Sequence, residues 1–179
     1  MKKTILFSVA GIAIALLAYA AYSGCFVNIK ITEKQIGPYF LVIEDHTGDY
    51  SEASKVIGKI DSMLKLEGIT TEKSFGIYRN KQTNDTKLKA KAQFGVILEP
   101  KDNDRVAELQ KKGFIVFEMG LTNSIGAEMP FRNKLSLVVG GMKIYPAFEK
   151  YCKEKNYKKE PIIEIYNKDK IIYAMEIKK

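Results

Sequence analysis

Glu164 stands in the run Pro161-Ile162-Ile163-Glu164-Ile165-Tyr166, an acid set among isoleucines in a stretch that reads as a strand. Side chains alternate along an extended chain, so Ile162, Glu164 and Tyr166 share one face while Ile163 and Ile165 share the other. The face holding the carboxylate is therefore not purely apolar core. Two readings fit it. One is a charge at the floor of a pocket, where a carboxylate beside aromatic rings binds a cation by charge and by ring quadrupole; the other is a solvent-facing acid on an ordinary hairpin. Rings are plentiful, with 10 tyrosines and no tryptophan.

Other chemistries find less support. His46 is the sole histidine, and Glu44 and Asp45 beside it point to opposite faces of a strand, so no zinc set forms around it. No nucleophile elbow is present for serine-hydrolase chemistry. His46 reads instead as part of a strand-to-helix turn in which Gly48 supplies backbone freedom. The only cysteines, Cys25 and Cys152, build neither a disulfide framework nor a zinc-spacing pattern, and Cys152 falls on an apolar helical face as a buried, inert thiol. No catalytic residue, metal or cofactor is expected.

The elements that must position Glu164 follow from periodicity. A strand is predicted over 40–44, then a helix opened by Asp49 with Glu52 completing a capping box, buried through Ala53, Val56, Ile57, Ile60 and Leu64, and ended by Gly68. Segments 74–79 and 88–99 form an antiparallel pair around the polar loop 80–87. A short helix over 104–112 stops at Gly113, and strands follow at 114–119 and 124–130. A long helical region from Asn133 carries Leu135, Val138, Val139, Met142, Tyr145, Phe148 and Cys152, and Pro146 is expected to split it in two. A closing hairpin pairs 161–166 with 170–177 about Asn167-Lys168-Asp169. In both halves a helix precedes the hairpin, and Gly76-Ile77-Tyr78 recurs 88 residues later as Glu164-Ile165-Tyr166. The predicted fold is α+β: a tandem, pseudo-twofold strand-helix-hairpin repeat forming an antiparallel sheet with helices on one face. Gly76 then matches Glu164 near the pseudo-axis, where a missing side chain leaves room for a ligand.

Ahead of this unit, residues 4–29 carry no charge, Lys2 and Lys3 precede them, and 5–22 is almost wholly apolar. The segment predicts one N-terminal transmembrane helix, with a signal peptide and a lipidated Cys25 after Ser23-Gly24 as the other readings. The division is then 1–24 anchor or signal-like segment, 25–36 stem with an edge strand through Val27, Ile29 and Ile31, and 37–179 the folded domain. Lys2 and Lys3 place the domain on the exported side of a single-pass membrane protein.

Net charge is +8, yet only Arg79, Arg105 and Arg132 are arginines. Lysine lacks the planar fork that reads bases and phosphates, so the surplus speaks for solvation and anionic headgroups rather than nucleic acid.

His46-Thr47-Gly48-Asp49-Tyr50, the strand end Pro130-Phe131, the step Tyr145-Pro146-Ala147 and Pro161-Ile162-Ile163-Glu164-Ile165-Tyr166, in this order and spacing, resemble the GyrI-like small-molecule-binding family, which includes the effector-binding domains of AraC-type and MerR-type regulators. The resemblance covers roughly 37–179 and is greatest to a membrane-anchored branch. It implies a pocket with Glu164 at its base, walled by Tyr50, Tyr78, Tyr145 and Tyr166. No helix-turn-helix precedes the domain, so no transcription factor is implied.

The function so read is a non-enzymatic, membrane-tethered domain that holds a small hydrophobic, amphipathic or cationic ligand, or a protein partner on the same concave face. The alternative is a hydrolase, because some GyrI-like relatives open reactive cyclopropane rings. Glu164 would then be a general base. A second acid near Glu164 would favour the enzyme, and a continuous aromatic trough would favour binding.

Overall fold

The computed structural model describes residues 2–79 and 91–179, with the side chains of the first helix described from residue 7. Helix α1 (Lys2–Tyr22) leads to strand β1 (Thr32–Ile36) and β2 (Tyr39–Thr47), followed by α2 (Ala53–Leu66) and the strands β3 (Lys73–Tyr78) and β4 (Lys91–Ile97). The second half repeats the order. After the short α3 (Val106–Lys111) come β5 (Ile115–Met119), β6 (Thr122–Pro130), α4 (Lys134–Lys155), β7 (Ile162–Tyr166) and β8 (Lys170–Glu176).

All eight strands join one antiparallel sheet in the order β1-β6-β8-β7-β3-β4-β2-β5. Exchanging β1 with β5, β2 with β6, β3 with β7 and β4 with β8 gives the same order read backwards, so the pseudo-axis passes between β3 and β7. Gly76 lies directly opposite Glu164 across that seam. β1 runs on into β2, and β5 into β6, while β1 pairs with β6 and β2 with β5. The sheet therefore curls, because each edge strand continues a strand near the opposite edge. The two bends meet at Gly37 (φ +94°), where a Cβ would come within 2.6 Å of the Gly120 carbonyl oxygen, so only glycine fits.

Inside the curl, Leu41, Phe75, Ile97, Ile163 and Ile165 form one apolar layer. On the other face α2 packs on β2 and β4 through Ile60 and Leu64, and α4 packs on β6 and β8 through Ile144, Phe148 and Cys152. β3 and β7 lie between the two helices. This is the element order and the helix-bearing face that the two halves predict.

Several expectations are corrected. Among the described residues no helix is long and apolar enough to cross a membrane. That finding overturns the reading of an N-terminal membrane span. The predicted transmembrane helix, the single-pass exported localisation and the membrane as partner fall with it. Instead the end of α1 is sewn to the sheet-and-helix unit: Ser23 is buried and accepts a hydrogen bond from Asn133 Nδ2 at 3.0 Å, and Lys143 donates to the Cys25 carbonyl at 2.8 Å. Val27, Ile29 and Ile31 do not form the edge strand; they pack on the α4 core, and the strand begins at Thr32.

Asp49 caps only one 3-10 turn, accepting from Ser51 N at 2.8 Å, and α2 starts at Ala53. Pro146 does not divide α4, which runs unbroken to Lys155. Val139 and Ile144 before the proline, and Phe148 and Cys152 after it, are buried on one core, and this packing outweighs the single lost hydrogen bond. Asn133 Oδ1 caps the start of α4 and Asn156, in the left-handed region, ends it. The loop 80–87 and the first residues of the expected 88–99 segment, 88–90, lie outside the described residues.

Candidate functional site

The β7 alternation holds as predicted: Ile162 joins the α4 core, Ile163 and Ile165 face the inner layer, and Glu164 points to the helix side. Glu164 is only 7% exposed. It forms no ion pair with any described cation; two phenols hold it instead. Tyr145, reaching down from α4, donates to Oε1 at 2.7 Å, and Tyr166, two residues along the same strand face, donates to Oε2 at 2.9 Å. Since the Tyr166 proton is committed to the carboxylate, the 2.9 Å contact between the Tyr78 and Tyr166 hydroxyls has Tyr78 as donor. The result is a directed chain, Tyr78 to Tyr166 to Glu164, closed from the other side by Tyr145.

Burial raises the Glu164 carboxyl above the usual carboxylate range, and the bonds from Tyr145 and Tyr166 offset part of that rise. Tyr145, Tyr166 and Tyr78 are all raised, first by burial and next by the Glu164 charge, so each phenol keeps its proton. A carboxylate oxygen has two lone-pair sites, so one tyrosine on each leaves acceptor capacity on both.

Of the predicted site residues, Glu164, Tyr145, Tyr166 and Tyr78 thus form one hydrogen-bonded cluster. Tyr50 meets it through ring contact, edge-on to Tyr78 at 4.9 Å, and its hydroxyl donates to the Lys91 carbonyl. The room beside Gly76 is taken up by the protein itself: a Cβ there would lie 3.0 Å from Tyr78 Cε2 and 3.2 Å from Phe94 Cδ1. His46 serves the turn, with Nε2 donating to the Asp49 carbonyl at 3.0 Å and its ring against Phe94.

Two members escaped the sequence reading. Phe94 is fully buried and stands edge-on to Tyr50 and Tyr78, but its register depends on a long loop that the sequence does not measure. Tyr173, also fully buried, lies opposite Glu164 on β8 and edge-on to Tyr145. That neighbour was readable, because a turn at 167–169 fixes the pairing of 164 with 173. The Tyr173 hydroxyl is buried without a hydrogen-bond partner among the described residues and presses on α4 where Gly140 lacks a side chain.

No family model matches the chain. It is similar to human testis-expressed protein 264, 26% identical over 166 residues, covering 88% of this chain and 51% of that protein. The mouse homolog is 25% identical over 162 residues, covering 86% and 50%. The chain thus spans about half the length of the curated relatives it matches. Among solved structures, the EcmrR-DNA complex determined by cryo-EM matches with a TM-score of 0.62 at 12% identity, covering 99% of this chain and 68% of the other. The crystal structure of the EcmrR C-terminal domain matches with a TM-score of 0.58 at 13% identity, covering 84% and 98%. The curled eight-stranded sheet with a helix on each half therefore shares the fold of the EcmrR C-terminal domain.

Proposed function

We propose that this chain is a small-molecule-binding domain that receives an amphipathic, cationic ligand over Glu164, between α2 and α4. The observation that carries the reading is a buried carboxylate held by tyrosine hydroxyls and balanced by no cation among the described residues. Leaving a carboxylate in such a place costs free energy, and a ligand cation recovers it by pairing with the free lone pairs. Tyr78 and Tyr50, both half-buried and backed by the buried Phe94, present ring edges and faces along the seam, a surface suited to a flat or apolar ligand body. The shared fold with the EcmrR C-terminal domain supports small-molecule binding as the class. The hydrolase alternative is less well supported, since the groups touching Glu164 are phenols and no second acid among the described residues shifts its carboxyl.

Titration of hydrophobic cationic dyes against wild type and Glu164→Gln tests this. The substitution is expected to weaken binding by about 1–3 kcal/mol, while neutral aromatic ligands change little. Equal affinity for the two proteins, or binding by neither, rejects the pocket.

A further inference from the structure

A second carboxylate is held by the same device in a different place. Glu33, on edge strand β1, accepts hydrogen bonds from both Tyr151 (3.1 Å) and Tyr157 (2.9 Å) on a single oxygen, Oε1. Tyr151 belongs to α4 and Tyr157 follows directly after it, so the end of that helix orients Glu33 as Tyr145 orients Glu164. The difference is exposure. Glu33 lies at the rim of an open cleft of about 360 Å3 with Lys34, Gln35, Asn123, Tyr157 and Ile177 among its walls.

In a chain of net charge +8, Glu33 is held by two phenols rather than by a lysine. Several exposed acids sit against lysine, as Glu128 does with Lys34 and Lys170 and Glu176 with Lys178. Glu33 forms no ion pair among the described residues, although three lysines are close in the chain or in space. Lys34 is taken by Glu128 at 3.1 Å, Lys178 lies between Glu160 and Glu176, and Lys155 rests over the Tyr151 ring at 5.8 Å. Both hydrogen bonds fall on Oε1, so Oε2 of Glu33 has no partner among the described residues. By strand alternation Gln35 shares the Glu33 face, and its amide nitrogen leans towards Asn123 Oδ1 at 3.5 Å, which leaves its carbonyl oxygen as a further acceptor. Two acceptors, one of them charged and pre-oriented, beside a tyrosine ring and the Ile177 side chain match a compact group with several N–H donors on a short apolar stem.

We infer that the cleft between β1, β6 and the residue pair Tyr157 and Ile177 is a second binding site, one that recognises a primary alkylammonium group through Glu33. The ammonium donates to Glu33 Oε2 and the Gln35 carbonyl, its charge faces the Tyr157 ring, and the methylenes cover Ile177. The shared chemistry occurs in free aliphatic amines and in the lysine side chain of a peptide, and the test has an arm for each.

The probes are n-butylammonium chloride and N-acetyl-lysine methylamide, titrated into the full chain and followed by NMR of the Tyr151 and Tyr157 rings. Saturable shifts with either probe, weakened about tenfold or more in Glu33→Gln and unchanged in Glu164→Gln, support the site and identify the source that it accepts. Tyr151→Phe combined with Tyr157→Phe should weaken binding several-fold by releasing the carboxylate from its fixed orientation. Tetramethylammonium, which has no N–H donor, should bind more weakly than either probe. Shifts that never saturate, that persist in Glu33→Gln, or that tetramethylammonium reproduces at the same concentration overturn the inference.

Discussion

The two halves of the sheet share one course of chain and differ in what they place at the axis between them. In the second half Glu164 is buried and clasped by Tyr145 and Tyr166; in the first half the facing position is Gly76, and the space is filled by Tyr78 and Phe94. A strict copy would set two carboxylates against each other in a buried seam, where like charges cannot both ionise. The repeat therefore keeps its backbone symmetry and gives up its side-chain symmetry at one point. Tyr78 and Tyr166, equivalent by the 88-residue spacing, mark the change, since one bonds the carboxylate and the other bonds its equivalent.

Restoring the lost symmetry should have the largest effect. Gly76→Glu brings a second acid opposite Glu164 and pushes on Tyr78 and Phe94, and is expected to cost about 3–5 kcal/mol in urea unfolding. Combining it with Glu164→Gln should recover a substantial part, because the charge repulsion goes while the crowding stays. A double variant no more stable than Gly76→Glu would show that sterics alone exclude an acid at position 76.

The contact of α4 with the second half gives the next effect. A Cβ at Gly140 would lie 2.3 Å from the Tyr173 hydroxyl oxygen, so Gly140→Ala is expected to cost about 1–3 kcal/mol. Tyr173→Phe removes a buried hydroxyl that has no partner among the described residues and should be neutral or slightly stabilising by itself. In the double variant much of the Gly140→Ala loss should vanish. Thermal melts of the four proteins form a cycle that reads the coupling directly.

A smaller pair separates the inner bond of the chain from the outer one. Tyr145→Phe removes a hydrogen bond to a carboxylate and should cost about 1.5–3 kcal/mol, whereas Tyr78→Phe removes a phenol-to-phenol bond and should cost about 0.5–1.5 kcal/mol. Equal losses would mean that Glu164 is not the centre of the cluster.

The smallest effects are the pH slopes, which run in opposite directions for a buried acid and an exposed one. Glu164 is raised by burial, so the folded state holds its proton more tightly than the unfolded state; its contribution is greatest below the unfolded value near 4.5 and declines as pH rises through the higher folded value. Glu108 is lowered from 4.5 to about 2, chiefly by the Arg105 and Lys112 hydrogen bonds, so its stabilisation is present above pH 4.5 and is lost as pH falls towards 2. Melting temperature measured against pH should lose its fall above 4.5 in Glu164→Gln and soften its acid limb in Glu108→Gln.

Much of the fold was legible because its signals are local. The isoleucine alternation of β7, the glycine stops after Leu66 and Lys111, the three-residue turn before Lys170 and the recurrence of Ile77-Tyr78 as Ile165-Tyr166 each depend on residues close in sequence. From these alone follow the α+β class, the repeated halves and the face on which Glu164 lies. Pro146 shows where a local rule gives way: a residue-level cost of one hydrogen bond yields to burial of the stripe Val139, Ile144, Phe148 and Cys152, which only the packed sheet supplies. The partners of Glu164 are non-local in the same sense. Nothing within the sequence around Tyr145 says that its hydroxyl reaches a strand 19 residues away, or that Tyr78 reaches Tyr166 across 88. The apolar N-terminal run determined a helix; whether that helix stands alone or is tied to Asn133 and Lys143 was decided by tertiary contacts. Periodicity is a property of neighbouring residues, and a hydrogen bond between distant side chains exists only once the sheet has brought their strands into register.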